Sequence, residues 1–134
     1  MIIKQNVPLV CTDNPAACKA YYETHFGFKT TFDSGNFVGL KSADGAVELS
    51  FMRSGDGEMM TSYNDRSLLF CFLVDDVDSS YKSLCDSGLS FTQPPTDNPW
   101  GDRSAITVDP LGIQVYLYSP IPVSDKFRAF IKDE

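Results

Sequence analysis

The stretch WGDRSAITVDPLGIQVYLYSP, residues 100–120, holds two runs of alternating β-forming residues around the turn sequence DPLG at 109–112. This arrangement predicts a β-hairpin, because Asp, Pro and Gly favour a tight reversal between two strands. Polar and aromatic residues recur along the hairpin, namely Arg103, Gln114, Tyr116 and Tyr118. Their spacing is typical either of a sheet face washed by solvent or of the wall of a pocket.

The hairpin closes the second of two similar halves of the chain. VCTDNPAACKAYYETHFGF and FLVDDVDSSYKSLCDSGLSF present the same signals in the same order: an apolar strand, an Asp, a helix cap, a helix and a Gly. Asp13 corresponds to Asp75, and Gly27 to Gly88. An ordered repeat of this length predicts a doubled supersecondary unit.

Capping residues delimit the predicted helices. The first helix follows Asn14, has Pro15 at its first position and stops at Gly27. The second helix starts near Asp76 and stops at Gly88. Ser124 is expected to cap a short C-terminal helix.

Alternating apolar residues and turn residues predict the strands around these helices. Three strands follow the first helix, at 28–33, 37–41 and 46–52, and three follow the second, at 89–92, 103–108 and 113–118. The segment TQPPTDNP is expected to be a loop, since tandem prolines interrupt sheets. The fold class is therefore α+β, built from two tandem βαβββ modules. We expect a single domain, 1–134, with modules 1–53 and 67–120, a linker 54–66 and a C-terminal tail 121–134.

Composition excludes several classes of function. The net charge is −7 without a Lys/Arg cluster, which disfavours nucleic acid as a partner. No apolar run approaches the ~20 residues of a membrane span, and the N-terminal segment lacks the pattern of a signal peptide, so we expect a cytoplasmic protein without a membrane partner. No Gly-rich phosphate loop, GxSxG motif or CxxC pair occurs.

The doubled unit resembles the vicinal oxygen chelate superfamily, which comprises glyoxalases, bleomycin resistance proteins and dioxygenases. WGDR at 100–103 followed by VDPLG at 108–112 looks like the WGxR…DPxG signature of its bleomycin-resistance-like branch, and AYYETHFGF like its FYxxxLGF motif. The resemblance implies that each module curls its mixed sheet with the helices on the outer face, and that the two modules form a cleft. It also implies a homodimer.

Enzymes of this superfamily hold a divalent metal through four ligands borne on strands. The corresponding positions in this chain are Val7, Glu48, Leu69 and Tyr116. Two of these residues are aliphatic and a phenol is a rare ligand, so the chain departs from the family's ligand pattern and we expect neither a metal nor another cofactor. His25, the single histidine, is expected at the end of the first helix as a surface or capping residue.

Strand alternation predicts which residues face the cleft. It selects Glu48 and Met52 in the first module, and Arg103, Thr107, Gln114, Tyr116 and Tyr118 in the second, with Ile106 and Val108 assigned to the core. Trp100 is expected at the lip of the cleft, or else as a plug on the sheet edge. Glu48 and Arg103 either bind a ligand or pair with each other.

These residues favour a metal-free protein that binds and sequesters a drug or metabolite, with an aromatic or cationic ligand as the expected partner. The alternative is an enzyme of the same superfamily. It would be a lyase, isomerase or dioxygenase with an atypical metal site around Glu48 and Tyr116, or a metal-free enzyme with Glu48 as general base.

Overall fold

The computed structural model describes residues 1–2, 4–53 and 68–132. It divides into two compact units, Met1–Asp65 and Arg66–Glu134. Each unit contains one four-stranded mixed sheet, and the α+β class with two tandem βαβββ modules is confirmed. The expected linker 54–66 lies outside the described residues.

The first unit follows the predicted order of elements. They are β1 (Leu9–Thr12), α1 (Pro15–Phe26), β2 (Lys29–Asp33), β3 (Phe37–Lys41) and β4 (Glu48–Arg53). The strand order in the sheet is β1-β4-β3-β2, with β1 parallel to β4 and the other pairs antiparallel.

The caps of α1 are those expected from the sequence. The Asn14 side chain accepts a hydrogen bond from the Ala17 amide at 3.1 Å, and Gly27 ends the helix with a φ of 68°. The helix packs on the sheet through Tyr22, whose ring stacks on that of Phe51 with centroids 5.7 Å apart. Both side chains are fully buried, so this contact lies at the centre of the first core.

The second unit repeats the plan and adds a short helix. Its elements are β5 (Leu69–Leu73), α2 (Val77–Asp86), β6 (Phe91–Asn98), β7 (Asp102–Val108), β8 (Gln114–Pro120) and α3 (Asp125–Arg128). The strand order is β5-β8-β7-β6, and β5 is parallel to β8. The Asp76 carboxylate caps α2 by accepting from the Asp78 and Ser79 amides.

The DPLG sequence forms the predicted turn between β7 and β8. The carboxylate of Asp109, a residue only 5% exposed, accepts hydrogen bonds from the amides of Leu111 at 2.8 Å and Ile113 at 2.9 Å. The Gly112 amide in turn donates to the Asp109 carbonyl at 3.0 Å. The aspartate therefore fixes the register of the whole hairpin.

One prediction about local structure was wrong, and a second was confirmed only in part. Pro94 and Pro95 lie within β6 rather than in a loop. The strand tolerates them because it is at the sheet edge and its register shifts between Gln93 and Thr96. Ser124 precedes α3, but its side chain makes no capping hydrogen bond and its buried hydroxyl has no partner in the part of the chain described.

The structure explains why position 101, in the WGDR sequence, is a glycine. Its φ is +110°, and a Cβ at this position would lie 2.6 Å from the Val123 Cγ2 atom. Gly88 has a similar φ of +101°, but a Cβ there would meet nothing within 4 Å. An alanine at either position would have a strained backbone, but only at Gly101 would its Cβ also overlap a neighbouring side chain.

We expect Gly101→Ala to destabilise the second unit more than Gly88→Ala. The shared backbone strain costs about 1–3 kcal/mol, and overpacking against Val123 adds roughly 1–3 kcal/mol at Gly101 alone. Chemical denaturation of the two variants measures the difference directly. Equal losses of unfolding free energy would mean that Val123 moves aside at no cost.

Candidate functional site

The position of α2 distinguishes the two faces of the second sheet. Tyr81 of α2 contacts the Phe91 ring of β6 with centroids 4.7 Å apart. Phe91 pairs with Thr107, and Thr107 with Val115, so these strand residues point toward α2. We call the opposite side of this sheet the far face.

Gln114, Tyr116 and Tyr118 lie on the far face, as their alternation predicts. Each is half-buried, whereas Val115 and Leu117 between them are buried on the α2 side. Cross-strand pairing adds further side chains to the far face: Leu69, Cys71 and Leu73 from β5, and Ser104, Ile106 and Val108 from β7.

The face assigned to β7 was wrong. Arg103 and Thr107 lie on the α2 side, and Ile106 and Val108 lie on the far face. Thr107 is 1% exposed, and its hydroxyl donates to the Ser90 carbonyl at 2.7 Å. The apolar character of Ile106 and Val108 suggested the core, but the hairpin register sets the faces instead.

Arg103 joins three elements on the α2 side. Its guanidinium donates to both carboxylate oxygens of Asp78 on α2, at 2.9 Å each, and to Asp97 on β6 at 2.8 Å. The bidentate hydrogen bonds from Arg103 lower the pKa of Asp78. Arg103 therefore links α2 to the edge strand β6. Its position on the α2 side of the sheet does not support a role as a ligand contact.

We expect Arg103→Met to lower the thermal midpoint of unfolding at neutral pH. The pKa of Asp78 is lower in the folded protein than its ordinary value of 3.8, so its stabilising effect is present above that pH and is lost as the pH falls through the folded-state pKa. The difference between wild type and variant should accordingly shrink in acid. Lys82→Met on α2 is the matched control, and a pH-independent difference would contradict an ionic role for Arg103.

A hydrogen-bonded network surrounds the Tyr116 hydroxyl on the far face. The hydroxyl donates to Asp102, lying 2.8 Å from Oδ2 and 3.0 Å from Oδ1. The side-chain amide of Asn98 donates to Asp102 Oδ1 at 2.7 Å and to the Ser104 hydroxyl at 2.8 Å. Asn98 and Ser104 are buried, so the network is anchored inside the unit.

Burial is the main reason that the pKa of Tyr116 is raised. The neighbouring Asp102 acts in the same direction, whereas the nearby Ser104 and Trp100 side chains act in the opposite one. Tyr116 thus stays protonated at neutral pH and acts as a donor to Asp102. The tyrosine ring is held in a fixed position by this bond.

Trp100 lies in the turn between β6 and β7, next to this network. Its side chain is 51% exposed, and its ring meets the Phe127 ring of α3 edge-on with centroids 6.2 Å apart. The indole is near enough to the Tyr116 hydroxyl to affect its pKa. Trp100 is therefore a partly exposed aromatic residue beside the far face.

Glu48 and Met52 belong to the first unit. Both lie on the side of their sheet opposite α1, because Leu49 and Phe51 between them are buried against the helix. The Glu48 carboxylate forms an ion pair with Lys41 of β3 at 3.0 Å. Glu48 and Arg103 each have ion-pair partners within their own unit.

The residues at the four metal positions of the superfamily do not fit a divalent ion. Val7 and Leu69 offer no donor atom, Glu48 is paired with Lys41, and the Tyr116 proton is engaged by Asp102. Within residues 1–2, 4–53 and 68–132, no three His, Cys, Asp or Glu side chains are grouped as a metal site requires. His25 lies in the last turn of α1, with its ring 5.2 Å from that of Tyr21.

Sequence reasoning missed Asp102, Asn98, Ser104 and Cys71 on the far face. A signal for two of them was present, because a hairpin turning at 109–112 places Ser104 opposite Tyr118 and Asp102 opposite Pro120. Asn98 was missed because the segment before it was expected to be a loop.

The sequence profile of the Glyoxalase/Bleomycin resistance protein/Dioxygenase superfamily matches residues 4–117. The chain therefore belongs to this superfamily. No curated protein is significantly similar to it in sequence.

Solved structures show the same fold. A glyoxalase/bleomycin resistance protein/dioxygenase from Nocardioides has a TM-score of 0.73 at 17% identity, covering 90% of this chain and 87% of the other. A virulence protein from Salmonella typhimurium has a TM-score of 0.73 at 15% identity, covering 90% and 99%. TioX from Micromonospora sp. ML1 has a TM-score of 0.68 at 19% identity, covering 86% and 97%.

Of the helices in the described part of the chain, none has both the length and the hydrophobicity needed to cross a bilayer.

Proposed function

We propose that this protein binds a small aromatic or cationic molecule without a metal ion and leaves it chemically unchanged, as a member of the bleomycin-resistance-like branch of its superfamily. The observation that carries the proposal is the Tyr116 ring, which Asp102 fixes on the far face beside Tyr118 and Trp100. A drug or metabolite held there would be sequestered from its target.

The chemistry of the far face favours a flat, partly apolar ligand. The Tyr116 and Tyr118 rings, with centroids 6.0 Å apart, provide stacking surface at a low cost in conformational entropy. Leu69, Leu73 and Val108 on the same face are exposed by 39%, 63% and 38%. Exposed apolar side chains on one sheet face favour a surface that binds a ligand. Glu48 and Met52 are proposed as ligand contacts on the corresponding face of the first unit.

Catalysis is less well supported by the same residues. A general base needs a carboxylate free to take a proton from its substrate, and the Glu48 carboxylate is held by Lys41. A metal-dependent lyase or dioxygenase would need donor atoms that Val7 and Leu69 do not have.

The resemblance to the bleomycin-resistance-like branch extends the proposal to assembly and location. We propose a homodimer that acts in the cytoplasm and, where its ligand is an antibiotic, protects the cell. Light scattering of the purified protein tests the dimer: a monomer at micromolar concentration would contradict it.

The fluorescence of Trp100, the single tryptophan of the chain, gives a direct assay of binding. We expect a saturable change with cationic aromatic compounds and recovery of the unaltered compound, as judged by mass spectrometry. Elemental analysis after incubation with Mn²⁺, Zn²⁺, Fe²⁺ and Ni²⁺ should find no stoichiometric metal. Turnover of the compound, or one bound metal ion per chain, would contradict the proposal.

A further inference from the structure

We infer that Asp102 selects ligands that carry a positively charged hydrogen-bond donor, such as a protonated amine or a guanidinium, in contact with the Tyr116 ring. This inference rests on the proposed function and assigns a class of ligand to the same face.

Asp102 is a half-buried carboxylate whose hydrogen-bond donors, within the described part of the chain, are neutral. Its hydrogen bonds come from the Asn98 amide and the Tyr116 hydroxyl, and no Lys, Arg or His side chain in the described segments lies within ion-pair distance. Neutral donors orient a carboxylate without cancelling its charge. A partly buried charge without a counterion is costly, and a cation from a ligand would remove that cost.

Four other carboxylates among the described residues have a cationic partner within 3.0 Å. Glu48 is paired with Lys41 at 3.0 Å, and Asp33 with Lys19 at 2.9 Å. Asp78 and Asp97 share Arg103. Asp102 differs from these four, and it is the one that lies among the aromatic side chains of the far face.

The charge of Asp102 acts beyond its hydrogen-bonded partners. Cys71 lies on β5, directly beside Tyr116 in the sheet. Burial raises the pKa of the Cys71 thiol most, and the negative charge of Asp102 raises it further. The negative charge of Asp102 therefore acts across the far face as far as Cys71.

The geometry leaves room on the carboxylate for a ligand. Among the residues that the structure describes, Tyr116 is the one donor to Asp102 Oδ2, and a carboxylate oxygen has two acceptor positions. A cation bound there would lie next to the Tyr116 hydroxyl, and the adjoining apolar part of the ligand could then contact the Tyr116 ring. Asp102 and Tyr116 thus recognise the charge and the adjoining apolar part of one ligand.

Three probes with the same ring system test this inference: naphthylmethylammonium, naphthylmethanol and naphthylacetate. Calorimetry should show that the ammonium probe binds wild-type protein about tenfold or more tightly than the alcohol, and that the carboxylate binds most weakly. In Asp102→Asn we expect the preference for the ammonium probe to disappear while the affinity for the alcohol is kept. Rising salt should weaken ammonium binding in wild type and have little effect in the variant.

Asp86→Asn is the control, because it removes one negative charge at the exposed C-terminal end of α2. It should keep the preference for the ammonium probe, and an equal loss in both variants would overturn the role of Asp102. Thermal unfolding of Asp102→Asn checks that the fold is retained. If Asp102→Asn does not fold, the inference is tested on wild-type protein alone, by the order of affinity of the three probes and by the salt dependence of ammonium binding.

The outcomes separate this inference from the proposed function. If the three probes bind wild-type protein equally, binding stands and the selectivity of Asp102 is wrong. If none of them binds at about 1 mM, both the inference and the proposed function are contradicted.

Discussion

Tyr116→Leu is expected to weaken binding of naphthylmethylammonium by about 30-fold or more, the loss typical of an aromatic residue at the centre of a binding surface. Leucine preserves an apolar side chain on β8 but removes the ring and the hydroxyl that Asp102 holds. Titration by calorimetry of wild type and variant measures the effect.

Tyr81→Leu provides the matched control for this experiment. Tyr81 is also a half-buried tyrosine of the second unit, but it contacts Phe91 on the α2 side of the sheet. Its replacement should leave probe affinity unchanged. If Tyr116→Leu remains folded and binds the probe as wild type does, the far face is not the binding surface.

Phe51→Ala is expected to lower the free energy of unfolding of the first unit by about 3–5 kcal/mol. The Phe51 side chain is 0% exposed and stacks on Tyr22, which is itself fully buried. Its removal therefore leaves a cavity between α1 and the sheet. Denaturant titration followed by circular dichroism measures the loss.

Phe32→Ala on β2 separates burial from the simple loss of an aromatic ring. Phe32 is 57% exposed and contacts the Phe37 ring at a centroid distance of 5.8 Å. We expect its replacement to cost less than about 1 kcal/mol. Similar losses for the two variants would mean that Phe51 is not central to the core.

The sequence was sufficient to predict the two modules because their start and stop signals are local. Asn14 and Gly27 delimit α1 through hydrogen bonds and a backbone angle that depend on few neighbours. The turn at 109–112 is likewise fixed by the side chain of Asp109. Such features are visible in a single sequence.

Other features depend on tertiary context that local patterns do not contain. Pro94 and Pro95 remain in a strand because β6 is at the edge of its sheet, and the order of strands is not a local property. Ile106 and Val108 face away from α2 although they are apolar. Hydrophobicity suggested the opposite, whereas counting across the hairpin from its turn would have placed them correctly.

The candidate site was predicted only in part, because some of its contacts also depend on tertiary context. Alternation along β8 placed Gln114, Tyr116 and Tyr118 on one face, but it gave no partner for the Tyr116 hydroxyl. Asp102 is the partner, and it was overlooked beside Arg103, the more conspicuous charge of the WGDR sequence. Arg103 instead binds Asp78 on α2, a contact between residues far apart in the chain.

Amide chemical shifts in isotope-labelled protein would map where naphthylmethylammonium binds, and so test directly whether the far face is the ligand-binding surface. We expect saturable shifts concentrated at Cys71, Asp102, Ser104, Tyr116 and Tyr118, with α2 unaffected. Shifts confined to α2, or no saturable shifts at about 1 mM probe, would contradict a ligand-binding surface on the far face.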